Sequence, residues 1–412
     1  MIKSLNKTNK VYMLQLATIF IGFIIFGISE NIKGPAIPLI QHDFNLDEKQ
    51  LGSLLSLNAL GYLIACSFTA YLTRRWGIKA VSLLAFGSML VSGILIFFSK
   101  SYPLFSSSYF IMYIGNGMLE IALAILGARI FVKNTGTMMN LSHFFYGLSS
   151  IVAPLIATGI MSVSLFGHPI QWRGMYIIML SLSILPMIPA YLGTFPGDEA
   201  QHNDQTSVKA LIRDPALWLI VLMLTFGVVS EMAVGGWLIN FLEKSYRWDT
   251  ASASRMLAAF FLCFSLGRLV LGPITDKIGF NVSIVIFSGF ACVCTFAAIG
   301  GGESVAWLFA VAGLGIAVIY PTVMALIARR YPQGSDTVIT FTVTLMGIGS
   351  VIGNYIIGAV TNGVKMYYGG ETELALIRGL QAGYGFIGLC AGLSAVSGCV
   401  LYIYLKSRKE LL

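Results

Sequence analysis

Long apolar runs follow one another along almost the whole chain, separated by polar breaks of only a few residues, and no other feature restricts the fold so severely. A helix needs about 20 apolar residues to cross a hydrocarbon layer, because each residue advances it by about 1.5 Å. The runs lie near 12–41, 50–72, 79–98, 105–132, 139–163 and 173–194, then near 214–242, 252–273, 282–300, 304–329, 338–363 and 379–405. The expected fold class is an all-α membrane protein of about twelve transmembrane helices joined by short loops. Only 11% of the 412 residues are charged, against about a quarter in soluble domains, so little chain is left for a soluble domain.

The longest polar interval, Gly197 to Arg213, divides the runs evenly. It predicts a six-helix bundle over 1–196, a cytoplasmic central loop over 197–213 and a second six-helix bundle over 214–412. The net charge of +8 comes from Lys and Arg residues scattered between the runs, a pattern that orients membrane helices and does not suit nucleic acid. Lys3, Lys7, Lys10, Arg74, Arg75, Lys79, Arg129, Lys133, Lys209, Arg213, Lys277, Arg329, Arg330, Lys406, Arg408 and Lys409 collect on one side, so both termini are expected in the cytoplasm, and a multi-pass protein of the plasma membrane is expected. The apolar stretch after Lys10 continues past Pro35 with no small-residue cleavage site, so it reads as an uncleaved first span. All six cysteines fall inside apolar runs and read as packing residues. No phosphate-binding glycine loop, catalytic triad or metal cluster stands out, so neither an ATP-driven pump nor an enzyme is expected, and no cofactor.

Against this background a carboxylate inside an apolar run is informative. Glu120 lies in the middle of the run from Tyr109 to Val132, where an unpaired charge is costly and generally marks a substrate or proton path. A structural ion pair, or a protonated carboxyl that donates a hydrogen bond, is the other reading. After the break Lys133-Asn134-Thr135-Gly136-Thr137 the next run brings His143, Tyr146 and Pro154. His143 can relay a proton or simply pack.

The two halves echo each other. Ala70-Tyr-Leu-Thr-Arg-Arg-Trp-Gly77-Ile-Lys79 follows the second run, and Gly272-Pro-Ile-Thr-Asp276-Lys277-Ile-Gly279 follows the eighth. Both resemble the G-x-L-x-D-R-x-G-R-K loop signature of the major facilitator superfamily, although the first copy has Arg74 in place of the Asp. Within that superfamily the chain resembles the fucose, glucose and mannose proton-symporter branch. The resemblance rests on Gly115-Asn-Gly-Met-Leu-Glu120, the segment from His143 to Pro154, Phe226-Gly-Val-Val-Ser-Glu231 with Trp237, Ser265-Leu-Gly-Arg268, and Gly313 to Pro321.

The resemblance implies two pseudo-symmetric six-helix bundles, alternating access, and uptake of a monosaccharide with a proton. It assigns proton coupling or sugar binding to Glu120 and Glu231. Glu30 lies at a comparable depth in the first span, with Lys33 one turn away able to neutralise it. The chemistry of a sugar agrees, since its hydroxyls need carboxylates and amides and its C–H face needs an aromatic plate. Asn58, Asn116, Asn240, Asn354, Tyr146, Trp237 and Tyr320 have those types, and the amides serve equally well to join helices. Arg129, Arg268 and Asp276 are expected to gate, the arginines pairing with Asp276 or with helix C-termini. Glu120 and Glu231 are expected near the membrane midplane, facing one cavity. The expected partners are a small-molecule substrate, a proton and the lipid bilayer, with the protein a monomer. A proton-coupled drug or metabolite exporter, and a non-transporting receptor or scaffold, are the alternatives.

Overall fold

The computed structural model describes residues 2–46, 48–165, 168–195, 212–370 and 372–408. Nearly all of the central loop expected at 197–213 lies outside the described residues. Eleven described helices are long and apolar enough to cross a membrane. One of them, Leu60–Phe98, has 39 residues, about twice what one crossing needs. It lies within α3 (Glu48–Phe98), which is two helices joined at Gly77, where φ is 81° and ψ 158°. That backbone region is open to glycine alone at little cost, because a Cβ would clash there. Gly77 therefore ends one span and begins the next, and the fold is an all-α membrane fold of twelve spans.

Before α3 come α1 (Ile2–Asn31) and α2 (Lys33–Asp43). After it come α4 (Tyr102–Ile130), α5 (Thr135–Ser162), α6 (Gln171–Ser181) and α7 (Ile184–Leu192). The second half holds α8 (Pro215–Tyr246), α9 (Thr250–Ile278), α10 (Phe280–Gly301), α11 (Trp307–Ala317), α12 (Ile319–Arg330), α13 (Ser335–Tyr367) and α14 (Glu373–Ser407). Among the described residues the all-helical expectation has one small exception, an antiparallel pair of two-residue strands, Ser164–Leu165 with His168–Pro169, in the loop after α5.

Some runs expected as single spans are broken: the first between α1 and α2, the sixth between α6 and α7, and the tenth between α11 and α12. Behind each break stands a proline, namely Pro35, Pro186 and Pro321. Proline has no N–H for the carbonyl four residues earlier, which leaves Asn31, Leu182 and Ala317 to find other donors. Proline alone does not force a break, since Pro154 and Pro273 stay inside α5 and α9.

The chain forms two compact units, Met1–Val132 with Phe145–Gln205 and Gln333–Thr340, and Lys133–Phe144 with Thr206–Pro332 and Phe341–Leu412. In the first unit α4 is the central helix, packed on α3 and α1, with 83% of its apolar window buried. In the second unit the α11–α12 span plays that part with 89% buried, α11 packing against α9 and α10. Both central spans carry a Gly-x-Gly that lets neighbouring backbones come close. A Cβ on Gly117 would lie 2.5 Å from the Tyr62 carbonyl of α3, and one on Gly313 would lie 2.6 Å from the Phe260 carbonyl of α9.

The repeat seen in the sequence extends to backbone angles. Gly279, between α9 and α10, has φ 90° and ψ 144°, matching Gly77. Four residues before each glycine a threonine hydroxyl donates to the carbonyl three residues back, Thr73 to Ala70 at 2.9 Å and Thr275 to Gly272 at 2.7 Å.

Candidate functional site

In the first unit the break between α1 and α2 places Glu30 and Lys33 on either side of Ile32. Tyr113, Asn116 and Glu120 follow one another at helical spacing on one face of α4. A chain of hydrogen bonds joins the two elements. Ser29 donates its hydroxyl to Asn116 Oδ1 at 2.8 Å, and Asn116 Nδ2 donates to Glu30 Oε1 at 2.6 Å. The Lys33 ammonium donates to Glu30 Oε2 at 3.2 Å and to the Tyr113 hydroxyl at 2.8 Å. Tyr109 stands edge-on to Tyr113 and to Tyr176, whose hydroxyl reaches that of Tyr109 at 3.4 Å. The side chains of Lys33 and Glu30 remain 33% and 18% exposed, so the cluster has an open side. Glu120, one turn beyond Asn116, is buried.

In the second unit Arg268 of α9 is the hub. Its guanidinium donates from Nε to the Ala317 carbonyl and from Nη1 to the His143 carbonyl, each at 3.1 Å. Nη2 faces Glu231 Oε1 of α8 at 3.5 Å, longer than a tight charge-assisted bond. The guanidinium also lies 4.1 Å from the centre of the Phe264 ring. The His143 and Tyr320 rings meet with centroids 4.9 Å apart. Each unit thus carries an intramembrane carboxylate matched to a base from a neighbouring helical segment, Glu30 to Lys33 and Glu231 to Arg268.

The other residues expected to gate, Arg129 and Asp276, lie in the last turns of α4 and α9 and reach the first turns of other helices. Asp276 accepts hydrogen bonds from the backbone N–H of Gly136 at 2.8 Å, from that of Thr137 at 2.7 Å, and from the Thr137 hydroxyl at 2.6 Å. It thereby caps α5 with a charge of the sign that a helix N-terminus attracts. In the first unit Arg74 occupies the place of Asp276 and donates to the Thr337 hydroxyl in the first turn of α13. Beside it Arg129 pairs with Asp336. The acid missing from the first loop motif is found on the facing helix instead. The sequence does not single out Asp336, but an acid in the first turn of the eleventh span, level with Gly136 of the fifth, is a detectable sign.

The remaining expected residues are dispersed. Tyr146 packs its ring on Phe26 with centroids 5.0 Å apart. Trp237 is half-buried with its ring directed at Gly358 of α13, and Asn240 is half-buried three residues further along α8. The side chains of Asn58 and Asn354, on α3 and α13, lie outside what the structure describes. Glu120 belongs to the first unit and Glu231 to the second.

The sequence profile of the Major Facilitator Superfamily matches residues 19–354 of this chain. The chain belongs to that superfamily. Protein TsgA of Shigella boydii is 19% identical over 382 residues, covering 92% of this chain and 94% of TsgA. Bypass of stop codon protein 6 of Saccharomyces cerevisiae is 24% identical over 305 residues, and the alignment covers 66% of this chain but 59% of the yeast protein's length. Among solved structures, the Escherichia coli fucose:proton symporter FucP superimposes with a TM-score of 0.79 at 16% identity, over 95% of this chain and 99% of FucP. The proton:xylose symporter XylE, solved with 6-bromo-6-deoxy-D-glucose bound, gives 0.75 at 13% identity over 97% and 96%. At such identities these structures establish the shared fold of a major facilitator transporter.

Proposed function

We propose that this superfamily transporter takes up a small polyhydroxylated solute of the monosaccharide class together with a proton, by alternating access of its two sequence halves, 1–196 and 214–412. The observation that carries this reading is the half-open cluster of Glu30, Lys33, Tyr113 and Asn116. A carboxylate, an amide and a phenol in one hydrogen-bonded chain supply both the acceptors and the donors that sugar hydroxyls require. The resemblance of the Gly115–Glu120 and Phe226–Glu231 segments to sugar symporters points the same way.

In this reading Glu30 and Glu120 in the first unit and Glu231 in the second exchange protons, with His143 beside the Arg268 network as a relay. Tyr146, Trp237, Asn240 and Tyr320 contribute to solute binding, as do Asn58 and Asn354. Arg129, Arg268 and Asp276 make contacts that form and break during the cycle. A proton entering with a neutral solute draws on the membrane potential, worth about 2.3 kcal/mol per charge per 100 mV, whereas one entering with an anionic solute draws on the proton gradient alone. The test is uptake of labelled fucose, glucose and xylose by the purified protein in vesicles, with and without an inward proton gradient. Uptake that ignores the gradient, or proton-driven efflux of the solute, overturns the symport reading.

A further inference from the structure

We propose that the transported solute is an anion, a hydroxylated carboxylate of the sugar-acid type, and that Lys33 binds its carboxylate. The inference rests on the transport reading above and deepens it by fixing the charge of the solute.

A lysine inside a membrane span is costly, and a neutral sugar gains little from a full positive charge that an amide could not supply. Lys33 and Arg268 differ in how they are held. Arg268 is enclosed, 3% exposed as a side chain, with its donors directed at protein carbonyls and Glu231. Lys33 is 33% exposed, and its ammonium spends one N–H on Glu30 and another on Tyr113. The third N–H has no partner among the described residues. Lysine suits a carboxylate that must come and go, because it is a flexible point charge without the fixed fork of arginine.

The neighbours explain how a second carboxylate can be accepted. Glu30 keeps the Asn116 amide on Oε1 whether or not Lys33 stays on Oε2. An incoming carboxylate takes over the ammonium, and a proton from the outer side goes to Glu30 Oε2. Lys33 remains protonated throughout, one N–H···O bond is exchanged for another, and the solute's negative charge is balanced by the proton. The ionisable groups around the pair are Tyr109 and Tyr113 on α4, Tyr146 on α5 and Tyr176 on α6, with Glu120 one turn further along α4. The phenols there are donors and acceptors for hydroxyls, which is why a hydroxylated acid fits better than a plain aliphatic one.

The test is equilibrium binding to the purified full chain with three probes, D-glucose, D-glucuronate and L-lactate, at pH 5.5 and 7.5. Glucuronate is expected to bind at least tenfold more tightly than glucose, with greater preference at the lower pH. The glucuronate-to-glucose affinity ratio should fall to within threefold of unity in Lys33→Gln and persist in Lys33→Arg. Glucose binding as tightly as glucuronate to the wild-type protein overturns the inference while leaving neutral-sugar symport standing. Lysine-dependent binding of lactate, with neither glucose nor glucuronate bound, overturns the sugar-acid assignment and the monosaccharide reading alike. Binding of none of the three overturns the inference. If Lys33→Gln fails to fold, the wild-type ratio and the double variant Glu30→Gln/Lys33→Gln, which leaves no unpaired charge, decide the matter.

Discussion

Arg268 donates its Nε–H to the Ala317 carbonyl at 3.1 Å, the acceptor to which Pro321 has no N–H to offer. A break in the tenth span is thus sealed by a side chain from the eighth, and the same guanidinium meets Glu231 of the seventh. Removing the arginine leaves both groups uncompensated in a buried place. Arg268→Met should destabilise the protein by about 3–5 kcal/mol, the usual cost of breaking a buried pair from one side. Arg268→Met/Glu231→Gln should recover part of that loss, read as a higher melting temperature in detergent. Equal loss in the single and double variants sinks the pairing.

Arg129 and Asp336 form a second ion pair of the first unit, with side chains 13% and 8% exposed. Asp336→Asn should lower the melting temperature, and the exchange Arg129→Asp/Asp336→Arg should restore at least part of it. A swapped protein no more stable than either single variant would show that helix packing, and not charge, holds this contact.

Asp276 caps α5 through two backbone N–H groups and a hydroxyl. Asp276→Ala should cost about 1–2 kcal/mol, the upper part of the range for a lost N-cap. Hydrogen exchange should reveal the site of the loss, with the amides of Gly136 and Thr137 losing protection before the middle of α5. Unchanged protection there is the contrary result.

Asp43, at the end of α2 beyond the first membrane span, accepts from Trp172 Nε1 at 2.8 Å and from Arg173 Nη1 at 2.7 Å. Burial pushes its carboxyl up, but these hydrogen bonds and the Arg173 charge outweigh that and hold it below the usual carboxylate range. A depressed folded value means the stabilisation is present above the unfolded value of roughly 3.9 and fades as pH falls through the folded one. The melting-temperature difference between wild type and Asp43→Asn should therefore be constant near neutrality and shrink below about pH 4. A difference that grows on acidification contradicts the assignment.

Glu120→Gln should keep the fold, because the amide matches a protonated carboxyl in shape, and should lose accumulation of solute against a gradient while retaining exchange. Glu30→Gln should behave likewise if Glu30 takes the proton. Proton-driven accumulation equal to wild type in either variant removes that residue from coupling.

Most of the fold was legible in the sequence because the hydrophobic transfer energy of a span is a local sum, read from one stretch at a time. The apolar runs gave the number of spans, and the loop motif marked Gly77 and Gly279 as equivalent positions, whose matching positive φ only the structure shows. Glu120, Glu231 and Glu30 were visible because a carboxylate in an apolar run stands out without any knowledge of its neighbours. Tertiary structure alone decided who pairs with whom. Glu30 meets Asn116 across 86 residues, and Arg129 meets Asp336 across 207. Hydrogen bonds and ion pairs act over a few ångströms and at fixed angles, so their partners depend on which helix faces pack together. That choice is made by contacts such as Gly117 on Tyr62 and Gly313 on Phe260. A glycine in the sequence announces that some backbone comes close, and only the packed helices show which one.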